Sequence, residues 1–363
     1  MIKAIDLFCG VGGMSLGVRR CGVEVIKSLD HDWRHVITYN NNFKGDSAAV
    51  FDLSKFEEEE LISIIGHSKQ IDMIFGGPPC QGFSVGGKQK TNDDRNNLIF
   101  SFLKAVEILR PQFFIMENVY GILGKNFIKT VENFLEKSNK IGYKVETPIV
   151  LNAKNFYIPQ DRKRVFFIGS KNRGTQLSNG IQSIIADQNI ESPKVKDAIF
   201  DFNVYEGELS PKVDRFEKNF NYTSDYAKFI NDEFNDLAFK HDEGIKEIGG
   251  FMVSHHDSKI IERFNEISPG EREPISRYLR LHWEKISPTL RAGTTRANGQ
   301  FMASRPIHPT SPRCITVREA ARLHSFPDWF EFFPTKWYGH MQIGNSVPPL
   351  LAQAVAKAVI SKL

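Results

Sequence analysis

The chain has 363 residues, more than the roughly 250–300 at which one hydrophobic core stops growing, which predicts two domains. Its 41% hydrophobic, 25% charged and 12% aromatic content excludes wholesale disorder, a coiled coil and a collagen-like rod. A net charge of +4, from 47 basic and 43 acidic residues, does not by itself diagnose a nucleic-acid partner.

No apolar run approaches the roughly 20 residues that span a bilayer, and Met1 leads directly into the strand-like IKAIDLF, so a cytoplasmic protein is expected. Four widely spaced cysteines (Cys9, Cys21, Cys80, Cys314), with no CxxC, fit neither a disulfide framework nor a zinc site. No metal is expected.

Short apolar runs at Ile2–Phe8, Val23–Leu29, Asp72–Phe75, Phe113–Met116, Val145–Leu151 and Val165–Ile168 predict strands. Helix-period stretches fall among them at Met14–Arg20, Trp33–Asn41, Glu58–Ile65, Leu98–Leu109 and Ile128–Ile141. The alternation predicts βαβ units and a mostly parallel, doubly wound sheet, which binds ligands beyond the carboxyl ends of its strands.

The first strand runs into Asp6-Leu7-Phe8-Cys9-Gly10-Val11-Gly12-Gly13, a glycine-rich turn that lets backbone N–H groups approach a ligand at a helix N-terminus. The glycine spacing is not that of the dinucleotide fingerprint, which places a NAD-dependent dehydrogenase last among the readings. The second strand delivers Asp30, suited to ribose hydroxyls, and Asp52 after a third segment could accept from an adenine amino group.

The fourth strand gives GGPPCQGFS, residues 76–84, with Cys80 mounted on two prolines at the strand end. A free cysteine is usually a buried small hydrophobe, but this placement suits a reactive atom. Residues 81–97 then read as a mobile lid. The fifth strand ends in Met116-Glu117-Asn118-Val119, where Glu117 is either a solvated strand-end acid or a carboxylate one strand from Cys80. In Gln160-Asp161-Arg162-Lys163-Arg164, two arginines spaced by two share a strand face, as an acid or carbonyl clamp or as surface ion-pair partners.

Residues 171–275 are polar with scattered aromatics, a surface insertion or a variable recognition module. Charge divides there: Asp201–Glu247 holds twelve acidic and six basic residues, whereas Lys259–Arg313 holds ten basic and five acidic. One face meeting phosphate, or simply two solvated surfaces, would explain this. The apolar LLAQAVAKAVISKL at the end is expected to dock on the first domain.

Together, DLFCGVGGMSLG, Asp30, GGPPCQGFS, ENV, QDRKR, RLHWEKISPTLRAG, TVREAARLHSFPDWF and QIGNSVPP resemble the DNA (cytosine-5) methyltransferase family, of the bacterial restriction–modification type. The blocks follow the family's order and cover most of the chain outside residues 171–275. The resemblance implies an α/β, Rossmann-like S-adenosylmethionine-dependent sheet (residues 1–185), a smaller target-recognition domain (186–332) and a segment (333–363) returning to the first domain.

It further implies Cys80 as the nucleophile on C6 of a flipped cytosine and Glu117 as the proton-bearing partner of N3 and the exocyclic amine. Arg164 would lie at the O2 edge, with Arg162 orienting Glu117. S-adenosyl-L-methionine would be held by Phe8, Gly10, Gly12, Asp30, His31, Asp52, Pro78, Leu98 and Asn345. His31 stands where the family often carries a stacking aromatic. Duplex DNA would meet Ser84, Arg277, Arg280, Thr289 and Arg291, while the acidic Asp201–Glu247 segment faces away from phosphate. A monomer with a cognate restriction endonuclease is expected. Two other readings stay open: methylation of tRNA, known in one branch of the family, and a catalytically silent DNA-binding regulator.

Overall fold

A computed structural model of the chain describes residues 1–45, 47–66, 70–79, 98–171, 191–238, 245–293 and 305–361. Five strands, β1 (Lys3–Leu7), β2 (Glu24–Asp30), β3 (Ala48–Val50), β4 (Met73–Gly76) and β5 (Phe113–Val119), lie parallel in the order β3-β2-β1-β4-β5. The sheet continues antiparallel from β5 into β9 (Lys163–Ser170), which also pairs with β6 (Lys144–Val145) and β7 (Ile149–Asn152). A two-residue strand β8 (Gln160–Asp161) precedes β9. The expected run Val145–Leu151 is thus two strands rather than one. Pro148 stands in the break, where its missing N–H cannot serve a ladder.

Period-two alternation makes this a three-layer fold, because both faces of each strand are apolar. Ala4, Met73, Phe75, Phe113, Ile115, Phe166 and Ile168 face one side, against α1 (Gly13–Arg20), α2 (Trp33–Asn42) and the final helix. Ile5, Leu7, Ile74, Phe114, Met116, Val165 and Phe167 face the other, against α3 (Glu58–Ile65), α4 (Leu98–Leu109) and α5 (Ile128–Lys140).

The remaining helices are α6 (Val195–Ile199), α7 (Asp225–Glu233), α8 (Ser258–Glu266), α9 (Val317–Leu323), α10 (Lys336–Asn345) and α11 (Pro349–Ile360). The last of these docks on α1, as its apolar sequence predicts. The approach is backbone to backbone: a Cβ on Gly17 of α1 would lie 2.3 Å from the carbonyl oxygen of Pro349. Among the described residues no helix is long and apolar enough to cross a membrane.

The aromatics after residue 200 are not scattered over a surface. Phe202, Tyr205, Phe216, Phe220 and Phe251 form one cluster, with Tyr205 stacked on Phe216 at 4.7 Å and Phe202 edge-on to Phe251 at 5.0 Å. The fully buried Arg322 of α9 lies 3.9 Å over the Phe202 ring and pairs with Asp201 (2.8 Å) and Asp328 (2.7 Å). Arg313 likewise joins Glu206 (2.6 Å) to Glu319 (2.9 Å). Arg313 and Glu206 thus tie the basic stretch to the acidic one, and Arg322 draws Asp201 of the acidic stretch inside the protein, which the tally of charges along the chain does not show.

Candidate active site

All five parallel strands end at one edge, and the antiparallel β9 starts there, so the residues after β1, β2, β3, β4 and β5 converge with those before β9. After β1 the chain turns through Phe8 (φ 59°), Gly10 (φ 53°) and Gly12 (φ 91°) into α1. Left-handed backbone is strained for Phe8 but costs glycine little. Ser15 supports the turn from below, donating to buried Asp6 (2.6 Å) and accepting from Tyr39 (2.9 Å).

Asp30, at the end of β2, fastens the turn. Its Oδ2 accepts from the Gly10 N–H (2.9 Å), while Oδ1 accepts from the Asp32 N–H (2.9 Å) and meets His35 Nδ1 at 3.1 Å. Burial pushes Asp30 up, but the hydrogen bond and charge of His35, with the N–H groups of Asp32 and Gly10, outweigh it and hold the carboxyl below the usual aspartate range. His31 Nδ1 lies 3.4 Å from the same carboxylate, with its side chain 64% exposed.

Asp52 is exposed just past β3, its carboxyl held low chiefly by the Ser54 hydroxyl and N–H, and less by His31 and Lys55. Pro78 is buried after β4, Leu98 opens α4 half-buried, and Asn345 is exposed at the end of α10. The turn fits a nucleoside-bearing ligand. A Cβ on Gly10 would meet nothing within 4 Å, so open space lies over it, and an ionised Asp30 borders it with acceptor capacity to spare on Oδ2.

One strand further on, Glu117 is 8% exposed on β5. Register sets Val119 opposite Arg164 and Glu117 opposite Phe166, so Glu117 and Arg164 are diagonal neighbours on one face. Arg164 Nε donates to Glu117 Oε1 at 2.7 Å. Burial raises the Glu117 pKa, and the guanidinium groups of Arg164 and then Arg162 only partly offset it. The result is a carboxyl that can hold a proton more readily than an exposed glutamate. Gly77 adjoins it: a Cβ there would lie 2.9 Å from Glu117 Oε2. Cys80, three residues beyond Gly77 in the sequence, and Ser84 lie outside the described residues.

Arg164, rather than Arg162, makes the direct contact with Glu117, which Arg162 reaches only through its charge. Arg162 is fully buried and donates to the carbonyls of Leu290 (2.8 Å), Gly344 (2.6 Å) and Ser346 (3.0 Å). Gln160, to which the sequence block assigned no role of its own, completes the knot. Its Oε1 accepts from Leu290 N (3.2 Å), and its amide donates to Leu323 O (3.2 Å) and to His324 Nδ1 (3.0 Å). His324 Nε2 then donates to Ser346 O (2.9 Å). Burial, helped by the Arg162 charge, keeps this histidine neutral. The available signal was spacing: residues 160, 162 and 164 share one strand parity.

Of the residues read as DNA contacts, Arg280 is a correction. It is buried, with four hydrogen bonds to the carbonyls of Pro309, Phe264, Ile267 and Thr310 at 2.6–3.0 Å, and so braces a loop rather than facing solvent. Thr289 gives its hydroxyl proton to Asp161 O (2.6 Å). Arg277 and Arg291 are exposed.

The model of the C-5 cytosine-specific DNA methylase family matches residues 2–361. Type II methyltransferase M.XorII of Xanthomonas oryzae pv. oryzae is 38% identical over 370 aligned positions, covering 99% of this chain and 84% of that protein. Type II methyltransferase M1.HphI of Haemophilus parahaemolyticus is 35% identical, covering 98% and 86%. A solved structure described as a prophage-encoded DNA modification methyltransferase from E. coli superposes with a TM-score of 0.80 at 30% identity, covering 99% of each chain. The S. pombe Dnmt2 methyltransferase shares the fold at a TM-score of 0.64 and 16% identity, with 100% and 98% covered.

Proposed function

Because the chain belongs to the C-5 cytosine-specific DNA methylase family, we propose a reaction path for it in which Cys80 and Glu117 act on one extruded base. The protein is a DNA (cytosine-5) methyltransferase of the restriction–modification type, and S-adenosyl-L-methionine is its methyl donor. When bound, that donor supplies the methyl group. Phe8, Gly10, Gly12, Asp30, His31, Asp52, Pro78, Leu98 and Asn345 would hold it, with Asp30 accepting from ribose hydroxyls.

C5 and C6 of a stacked cytosine are out of reach, so the target base leaves the duplex, as the general behaviour of DNA methyltransferases requires. The Cys80 thiolate adds to C6, forming a carbon–sulfur bond and making C5 nucleophilic. Glu117 pairs with N3 and the exocyclic amine and gives a proton to N3 as charge develops. Arg164 keeps Glu117 in place and meets the O2 edge of the ring. After C5 takes the methyl group, leaving S-adenosylhomocysteine, water accepts the C5 proton, the C6–sulfur bond breaks to release the thiolate, and N3 returns its proton to Glu117, which restores aromaticity.

Residues 186–332 read the target sequence, with Ser84, Arg277, Thr289 and Arg291 on the DNA. The methylated sites are then protected from a cognate endonuclease of the host, and the enzyme acts as a monomer.

The observation that carries this reading is the buried Glu117–Arg164 pair beside Gly77 at the carboxyl edge. A duplex oligonucleotide bearing 5-fluorocytosine in the target site, incubated with enzyme and S-adenosylmethionine, should trap a conjugate whose peptide map ends on Cys80. No conjugate, or one on another side chain, refutes the path. Bisulfite sequencing of host DNA supplies the target sequence needed to design it.

A further inference from the structure

We propose that His35 is a positioning residue for the methyl donor: by donating from Nδ1 it fixes the Asp30 carboxylate in the orientation that receives the donor's ribose hydroxyls. The inference rests on reading Asp30 as the ribose acceptor. An aspartate carboxylate turns easily about its last torsion, so its direction is set by its donors. Two of these, the N–H groups of Gly10 and Asp32, are main-chain. Among the described residues the side-chain donors are His31, 3.4 Å away and largely in solvent, and His35, 3.1 Å away and 8% exposed. Water competes for the first and scarcely for the second.

A second feature separates His35 from an ordinary core residue. Facing a carboxylate that can only accept, its Nδ1 must carry the proton, which leaves Nε2 as the other polar atom of the ring. That atom is buried and has no hydrogen-bond partner among the described residues. Buried polar atoms are rarely left unmatched, and a position that served packing alone would be filled by an apolar side chain. The ring is tolerated for what its other nitrogen does. Placement on α2 contributes too. Asp32 caps this helix by accepting from Arg34 N, which fixes the spacing between the end of β2 and residue 35.

The test uses the full-length protein and titration calorimetry with S-adenosylhomocysteine. His35→Leu should weaken binding about ten-fold or more, the equivalent of one lost charge-assisted hydrogen bond. Asn presents an amide near the place of Nδ1, so His35→Asn should bind close to wild type. In steady state the Leu variant should show its loss in the KM for S-adenosylmethionine, with the KM for DNA unmoved.

Wild-type affinity in His35→Leu, or equal losses in Leu and Asn variants, overturns the inference. Asp30→Asn separates the two levels. If it binds like wild type, the ribose reading of Asp30 is wrong; if it weakens binding while His35→Leu does not, only the role of His35 fails. Should circular dichroism show His35→Leu unfolded, a cycle pairing His35→Gln with Asp30→Asn decides. Non-additive losses support the coupling, and additive ones overturn it.

Discussion

Replacing Arg162 with Met tests the knot that joins three distant segments to the strand beside Glu117. The guanidinium serves three main-chain carbonyls, those of Leu290, Gly344 and Ser346, from a position with no exposed surface. Hydrogen bonds from a charged donor contribute about 1.5–3 kcal/mol each, and an unmatched buried carbonyl costs about 1–3 kcal/mol. Ser346 O keeps its bond from His324, so two carbonyls are left unmatched and one bond is lost, together roughly 3.5–9 kcal/mol. Against this, Met relieves a buried charge, whose cost shows in the depressed Arg162 pKa caused by burial and by Arg164.

A net loss of about 4 kcal/mol is expected, a large share of the roughly 5–15 kcal/mol that holds a typical domain together. Urea unfolding followed by the fluorescence of the four tryptophans measures it. Arg162→Lys should fall between, since one ammonium cannot reach all three acceptors. A loss below about 1 kcal/mol in Arg162→Met, with methyl transfer intact, would show that the knot is not a brace.

Glu117→Gln keeps the shape of the side chain but has no acidic proton, so turnover of labelled methyl into duplex DNA should fall by about 10²–10⁴. Affinity for S-adenosylhomocysteine should be unchanged; turnover near wild type would remove Glu117 from the chemistry. Arg291→Ala should weaken DNA binding and lower the slope of log affinity against log salt by about one phosphate contact. Arg280→Met should instead lower the melting temperature and leave that slope alone, and the reverse pattern would put Arg280 on the DNA.

Acid should destabilise the protein in a defined window. Burial holds His308 down at about 4 against an ordinary value of 6.5, so between those values the unfolded chain binds a proton that the native state refuses. Stability from this group is whole above pH 6.5 and is lost as pH falls through 4, by roughly 3 kcal/mol at most. His308→Asn should flatten the fall of melting temperature across that window, and an identical fall in both proteins would exclude His308 as its source.

The sheet was legible because its information is local. Period-two apolar runs and the turns after Leu7 and Gly76 name the strands and their carboxyl edge without reference to anything distant. The placement of Glu117 and Arg164 near strand ends was legible for the same reason. Arg162 was not, because its partners lie 128 to 184 residues away and nothing near it in the sequence announces three carbonyls. Arg280 and Arg291 look alike as basic residues of one stretch, yet four carbonyls surround the first while the second is exposed. Burial decides which charge faces outward, and burial is a property of the assembled chain. The Asp30–His35 contact spans five residues, short enough to have been guessed, but an imidazole on a helix does not reveal which way it points.

The docking of α11 on α1 has a consequence for how the enzyme is made. The helix that follows the glycine turn and the helix that packs against it are separated in the sequence by most of the chain, so the first is made well before the second. At roughly 5–20 residues per second, translation leaves that flank of the sheet bare for some tens of seconds. During this time the apolar face of α1 that α11 will cover stays open to solvent.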